Sequence, residues 1–284
     1  MINVNIGGVP EHFNLPWYIA LKNGDFKNQN INLRWHDYFG GTGEMCEGLR
    51  TNQIDLAVIL TEGIVTDIIA GNPATIVQTF VETPLNWGIH VAEQSKYKSV
   101  NELKGQKAAI SRYGSGSHLM AYINAQNHNW NLESDLKFEV IKDLDGAVES
   151  LTNGESDYFM WEKYTTKPLV DSGVFRNIGN CPSPWPCFVI AVRTKFLEEN
   201  RNIVTSILEI INGVTMQFKS LPNIEQLIAS RYQQKLEDVK AWLAQTEWSQ
   251  ELISQTELNE VQNQLLALNI ITEQKAYNDL TTKI

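Results

Sequence analysis

FGGTGEMCEGLRTNQIDLAVILTEG, residues 39–63, decides the fold. A glycine-rich turn leads into EMCEGLRTNQ (44–53), where apolar and polar residues alternate at helical spacing. IDLAVILT (54–61) follows, a short apolar run of the kind that forms a buried strand. Upstream, INVNIGG (2–8) reads as a strand, LPWYIALKNGDF (15–26) as a helix closed at Gly24, and INLRWHDYF (31–39) as a second strand. Downstream come a short helix over TDIIAGN (66–72) and a strand over TIVQTFVE (75–82). The βαβαβ order predicts an α/β protein with a mostly parallel sheet flanked by helices.

The series then restarts. SVNELKGQ (99–106) reads as a short helix and KAAIS (107–111) as a strand. A Gly/Ser turn and a helix over LMAYINAQN (119–127) follow. LKFEVIKD (136–143) is a strand, LDGAVESLTNG (144–154) a helix and SDYFMW (156–161) a strand. From about residue 195 the pattern is helical, with Ser254 and Glu257 spaced as a capping box.

Composition narrows the function. Thirty-three acidic against 23 basic residues leave a net charge of −10, with no Lys/Arg block to meet nucleic acid or an anionic membrane. The apolar runs are too short for membrane insertion. Three cysteines (Cys46, Cys181, Cys187) suit no disulfide framework. MINVNIGG enters a strand directly, so the expected compartment is the cytoplasm for the sequence as it stands, and the periplasm for a chain whose export signal has been removed.

No catalytic or metal-binding constellation emerges. The five histidines lack metal-ligand spacing, and the glycines at 40, 41 and 43 miss both the dinucleotide fingerprint and the phosphate loop. The turns FGGTGEM (39–45) and SRYGSGSH (111–118) instead offer N–H and hydroxyl donors at helix starts, from Thr42, Ser115 and Ser117. The alternative is that both turns only cap their helices. Glu11 and His12 follow the first strand and Glu62 the third, at carboxyl ends where ligands sit in open α/β sheets. Glu62 also fits a helix N-terminal carboxylate. FMWEKYTTKP (159–168) and CPSPWPCF (181–188) concentrate aromatics and prolines at expected strand ends and connections. Trp161 and Trp185 suit stacking on a flat ligand or, as large aromatics more often do, a place in the core, and Glu162 suits a ring nitrogen.

GGVPEHFNLPWYIALKNGDF (7–26), residues 39–63 and SVNELKGQKAAISRYGSGSH (99–118) together resemble the type II periplasmic-binding-protein-like family. The branch is the one that includes binding proteins for sulfonates, nitrate, taurine and thiamine pyrimidine precursors. The resemblance implies two lobes, 1–86 with 193–284 and 94–186, joined by hinge crossovers at 87–93 and 187–192. It implies ligand contacts from Pro10, Glu11 and His12, from Gly41 and Thr42, and from Thr61 and Glu62. The second lobe would add Tyr113, Gly114, Ser115, Gly116 and Ser117, with Trp161 and Glu162; Phe39, His118 and Trp185 complete the candidate contacts.

The function it implies is small-molecule binding by lobe closure, without cofactor or metal. The partner is a small ligand, and an ABC-transporter permease for an exported form. Three glutamates favour a ligand bearing N–H or cationic groups, such as a thiamine-pyrimidine-like heterocycle. One alternative is an enzyme of the same fold, with His12 or His118 as acid/base, although the cysteine-rich CCCFC signature of the fungal pyrimidine synthases is absent. Another is a cytosolic sensor or accessory protein.

Overall fold

In the computed structural model, which describes residues 1–284, eight strands and twelve α-helices alternate. The strands are β1 (Ile2–Gly8), β2 (Ile31–Asp37), β3 (Leu56–Leu60), β4 (Ala74–Ala92), β5 (Lys107–Ile110), β6 (Lys137–Val140), β7 (Tyr158–Glu162) and β8 (Phe175–Arg193). The helices of the α/β part are α1 (Leu15–Asn23), α2 (Asp25–Asn28), α3 (Thr42–Arg50), α4 (Thr61–Ile69), α5 (Gly116–Asn127), α6 (Leu144–Asn153) and α7 (Lys167–Asp171). The helical tail comprises α8 (Thr194–Gln217), α9 (Ile224–Tyr232), α10 (Leu236–Gln245), α11 (Gln255–Ala267) and α12 (Tyr277–Leu280). No helix is long and apolar enough to cross a membrane.

The chain forms two compact units, Met1–Thr83 with Trp185–Ile284, and Pro84–Pro184. In the first, strands run in the order β2-β1-β3-β8-β4. β1 is parallel to both β2 and β3, and β3 is antiparallel to β8. Alternation along β1 turns Val4 and Ile6 into the core. The centre of this unit is aromatic: Trp17, with no exposed surface, stacks on Phe26 at 6.1 Å and meets Trp35 and Phe80 at about the same distance. Registers Gly8↔Asp37 and Gly8↔Val58 bring the carboxyl ends of β1, β2 and β3 level, so the loops after them emerge on one edge.

In the second unit the order is β4-β7-β5-β6, with β5 parallel to β6 and β7 and β4 antiparallel to β7. Ala92, Ala109, Ile141, Ala147, Leu151, Phe159 and Phe175 form its core. The turns after β5 and β7 again share an edge.

Differences from the sequence reading have local causes. TIVQTFVE and the expected hinge crossover from residue 87 share one 19-residue strand, β4, which ends at Ala92, although Pro84 lies between them. CPSPWPCF, expected at a connection, lies inside β8. There, exposed Pro182 and Pro184 alternate with buried Cys181, Ser183 and Trp185. Prolines cannot donate to a ladder; between them, Ser183 Oγ accepts the Leu85 N–H of β4 at 3.0 Å. α4 begins at Thr61, five residues before the predicted helix, and α5 at Gly116 rather than 119. In both, residues read as a free turn are the helix's own first turn.

The capping box of α11 is present: Ser254 Oγ accepts the Glu257 N–H at 3.2 Å, and Glu257 Oε2 accepts the Ser254 N–H at 2.9 Å. Ser254→Ala is expected to lower stability by about 1 kcal/mol, read as a shift of the urea midpoint at constant m-value.

Candidate functional site

Three strand ends of the first unit carry the predicted contacts. After β1, Pro10 is half-buried, while Glu11 and His12 are buried. The Tyr232 hydroxyl, on α9, donates to the Glu11 carbonyl. His12 is 1% exposed, stacked on Phe13 at 4.8 Å and edge-on to Trp242 at 4.2 Å. Burial lowers its pKa to about 3, so the ring is neutral. Its place is the core behind the loop.

After β2, Phe39 is 74% exposed. The Gly40 N–H is taken by Glu44 Oε2 at 2.9 Å and the Gly41 N–H by the Tyr38 carbonyl at 3.2 Å. Gly41 has φ +67° and ψ −147°, a backbone that only glycine adopts without strain. Thr42 opens α3, and the first N–H groups of that helix, at Thr42 and Gly43, are the ones helix geometry leaves without an internal carbonyl.

After β3 there is no loop. Thr61 Oγ1 donates to the Pro186 carbonyl at 2.5 Å, so its hydroxyl ties β3 to β8. Glu62, 4% exposed, stands in the first turn of α4, and its Oε2 accepts Trp185 Nε1–H at 2.9 Å. Desolvation raises its pKa to about 7, opposed in part by the Glu62 N–H and by Trp185. Trp185 is itself 2% exposed. The indole packs in the interior, with its N–H on the Glu62 carboxyl.

In the second unit, the SRYGSGSH turn is built by its own hydroxyls. Ser117 Oγ accepts the Ser111 N–H at 3.0 Å, Ser115 Oγ accepts the His118 N–H at 3.3 Å, and the two oxygens lie 3.0 Å apart. One hydroxyl proton is used between them, so the pair retains a single proton to give outward. Gly114 has φ +77°, and Tyr113 is 65% exposed. The α5 N-terminus adds the N–H groups of Gly116 and Ser117. Trp161 is half-buried, stacked on Phe159 at 5.4 Å and edge-on to Trp87 at 6.3 Å. Glu162 is 3% exposed, and its Oε2 accepts both the N–H and the hydroxyl of Thr165, at 2.6 and 2.9 Å. Burial, outweighing these bonds, raises its pKa to about 7. It caps the turn after β7.

One group was missed. Asp37, at the carboxyl end of β2, accepts from Tyr18 OH at 2.5 Å and Trp35 Nε1 at 2.8 Å, both through Oδ1. The Arg231 guanidinium lies 4.2 Å from the Tyr18 ring centroid. An acid ending a parallel strand, the signal that marked Glu62, marks Asp37 equally well. No three His, Cys, Asp or Glu side chains converge as a metal-ligand set.

Among curated proteins, none matches the chain in sequence. A family model described as Ca3427-like PBP matches residues 87–181. The Candida albicans CA3427 gene product, described as exhibiting the generic periplasmic binding protein structural fold, superposes with a TM-score of 0.91 at 22% identity, over 100% of this chain and 97% of its own. The alkanesulfonate-binding protein SsuA from Xanthomonas axonopodis pv. citri, bound to MOPS, gives 0.84 at 14% identity, over 99% and 98%. The periplasmic nitrate-binding protein NrtA from Synechocystis gives 0.71 at 12%, over 98% and 83%. The chain has the periplasmic-binding-protein fold, a mixed sheet flanked by helices, and its second unit carries the match to the Ca3427-like family.

Proposed function

We propose that the chain is a solute-binding protein whose two lobes close on one small molecule, with β4 and β8 as the hinge. The observation that carries the ligand class is Glu62. A carboxyl held nearly out of solvent, with one oxygen fixed by an indole N–H, is costly as an anion without a partner. A ligand that presents a cationic nitrogen or N–H group supplies that partner, and an anion does not. The donors of the second unit, at the α5 start and the serine pair, suit an acceptor elsewhere on the same molecule. An aminopyrimidine, with exocyclic amino N–H donors and ring nitrogen acceptors, meets both demands. The relatives described as binding alkanesulfonate and nitrate support solute binding as the general role. An ABC-transporter permease is the partner of an exported form.

A thermal-shift series with aminopyrimidines, thiamine, alkanesulfonates and nitrate tests the reading. A true ligand at a hundred times its dissociation constant stabilises by about 2.7 kcal/mol. Glu62→Gln is then expected to weaken an aminopyrimidine more than tenfold. Stabilisation by sulfonate or nitrate alone, or unchanged affinity in Glu62→Gln and Trp161→Ala, overturns the assignment.

A further inference from the structure

We propose that His118 is a positioning residue, the returning half of a capping box in which an imidazole replaces the usual carboxylate and fixes the Tyr113–Ser115 turn. In an S-x-x-E box, the Ser oxygen takes the N–H three residues on, and the Glu side chain reaches back to an N–H at the helix start. Here the residues are Ser115-Gly116-Ser117-His118. Ser115 Oγ accepts the His118 N–H at 3.3 Å, and the returning bond runs from the Gly114 N–H to His118 Nδ1 at 3.1 Å.

That geometry assigns the tautomer. Nδ1 accepts, so it carries no proton, and the ring proton sits on Nε2. The ring is 8% exposed and held edge-on by Tyr113 at 5.3 Å, Tyr122 at 5.0 Å and Phe138 at 4.6 Å. The titratable groups beside it are the Tyr113 and Tyr122 phenols. Lys137 and Glu139, flanking Phe138 on β6, belong to the other face of that strand by alternation, and Arg112 lies in the turn itself. Burial keeps the imidazole neutral, its pKa lowered to about 4.

A carboxylate in this box would accept at any pH above its own titration. An imidazole accepts only while Nδ1 is bare; protonated, it sets an N–H against the Gly114 N–H. The turn therefore releases in acid and holds above it. Its functional consequence rests on the solute-binding reading, because the Gly116 and Ser117 N–H groups follow directly from this turn.

The test needs no ligand, so its failure is distinct from that of a ligand screen. In ¹⁵N spectra at neutral pH, His118 should show an unprotonated Nδ1 and a protonated Nε2. His118→Leu should speed Gly114 amide exchange roughly tenfold, the loss of one ordinary hydrogen bond. His118→Gln, which keeps an acceptor, should restore protection and abolish the acid-induced rise, measured against the intrinsic exchange rate. A protonated Nδ1 at neutral pH, or equal Gly114 exchange in all three proteins, overturns the proposal.

Discussion

Wild-type protein and Glu62→Gln are expected to diverge in stability as pH rises from 5 to 8, with the variant gaining about 2–3 kcal/mol relative to wild type. The folded pKa of Glu62 is raised to about 7 from 4.5 by burial. Between those two values the native state keeps a proton that the unfolded chain releases, so this group's contribution is present in acid and is lost as pH climbs through 7. Glutamine is neutral throughout, and its carbonyl still accepts Trp185 Nε1–H. The buried histidines act in the opposite sense. His12, His90 and His118 have pKa values lowered to about 3, 4 and 4, so unfolding takes up protons below 6.5 and stability falls with acid. These terms are common to both proteins and cancel in the difference. Urea midpoints at several pH values supply the measurement. Parallel curves for the two proteins would show that Glu62 titrates as an ordinary solvated carboxyl.

The same shift connects to function. A cationic ligand that binds the carboxylate must displace the proton that Glu62 holds below pH 7. Binding near neutrality is then accompanied by proton release, visible in calorimetry as an apparent enthalpy that depends on the buffer's ionisation heat.

The order of strands and helices was legible because each α/β repeat carries its own local signals. IDLAVIL reads as a buried strand whatever surrounds it, and Ser254-x-x-Glu257 announces a helix start within four residues. What proved opaque depends on distant partners. His12 looks like a loop residue until Tyr232 and Trp242, more than two hundred residues later, close over it. Trp185 and Glu62, each read alone as a ligand contact, are partners 123 residues apart. The serines of SRYGSGSH were recognised as donors, but their proton count within the turn depends on a geometry that residue types do not reveal. Proline misled at 182–186, since its missing N–H argues against a strand, whereas here exposed Pro182 and Pro184 alternate with buried residues and the Ser183 hydroxyl takes the Leu85 N–H.

Gly63→Ala is expected to destabilise the protein by about 1–3 kcal/mol, and Thr42→Ser to relieve most of that loss. Helix propensity alone predicts the reverse sign. Gly63 lies in the first turn of α4, where alanine gains up to about 1 kcal/mol over glycine. The space decides otherwise: a Cβ at Gly63 would stand 2.2 Å from Thr42 Cγ2, with Thr42 Cβ and Oγ1 at 3.3 and 3.7 Å. Thr42 is 9% exposed and opens α3, so the overlap falls between the two helix starts that carry the Gly41–Thr42 and Glu62 candidates. Serine removes only the offending methyl. In the double variant the nearest Thr42 atom becomes a tight but tolerable contact, and the propensity gain reappears. A double-mutant cycle in urea isolates the coupling. If Gly63→Ala is neutral alone, or if Thr42→Ser fails to rescue it, the two helix starts are not in the close contact described. If the cycle closes as expected, Gly63→Ala also becomes a probe of the site. It displaces Thr42 and Glu62 together without altering either side chain, and should weaken any ligand that depends on their spacing.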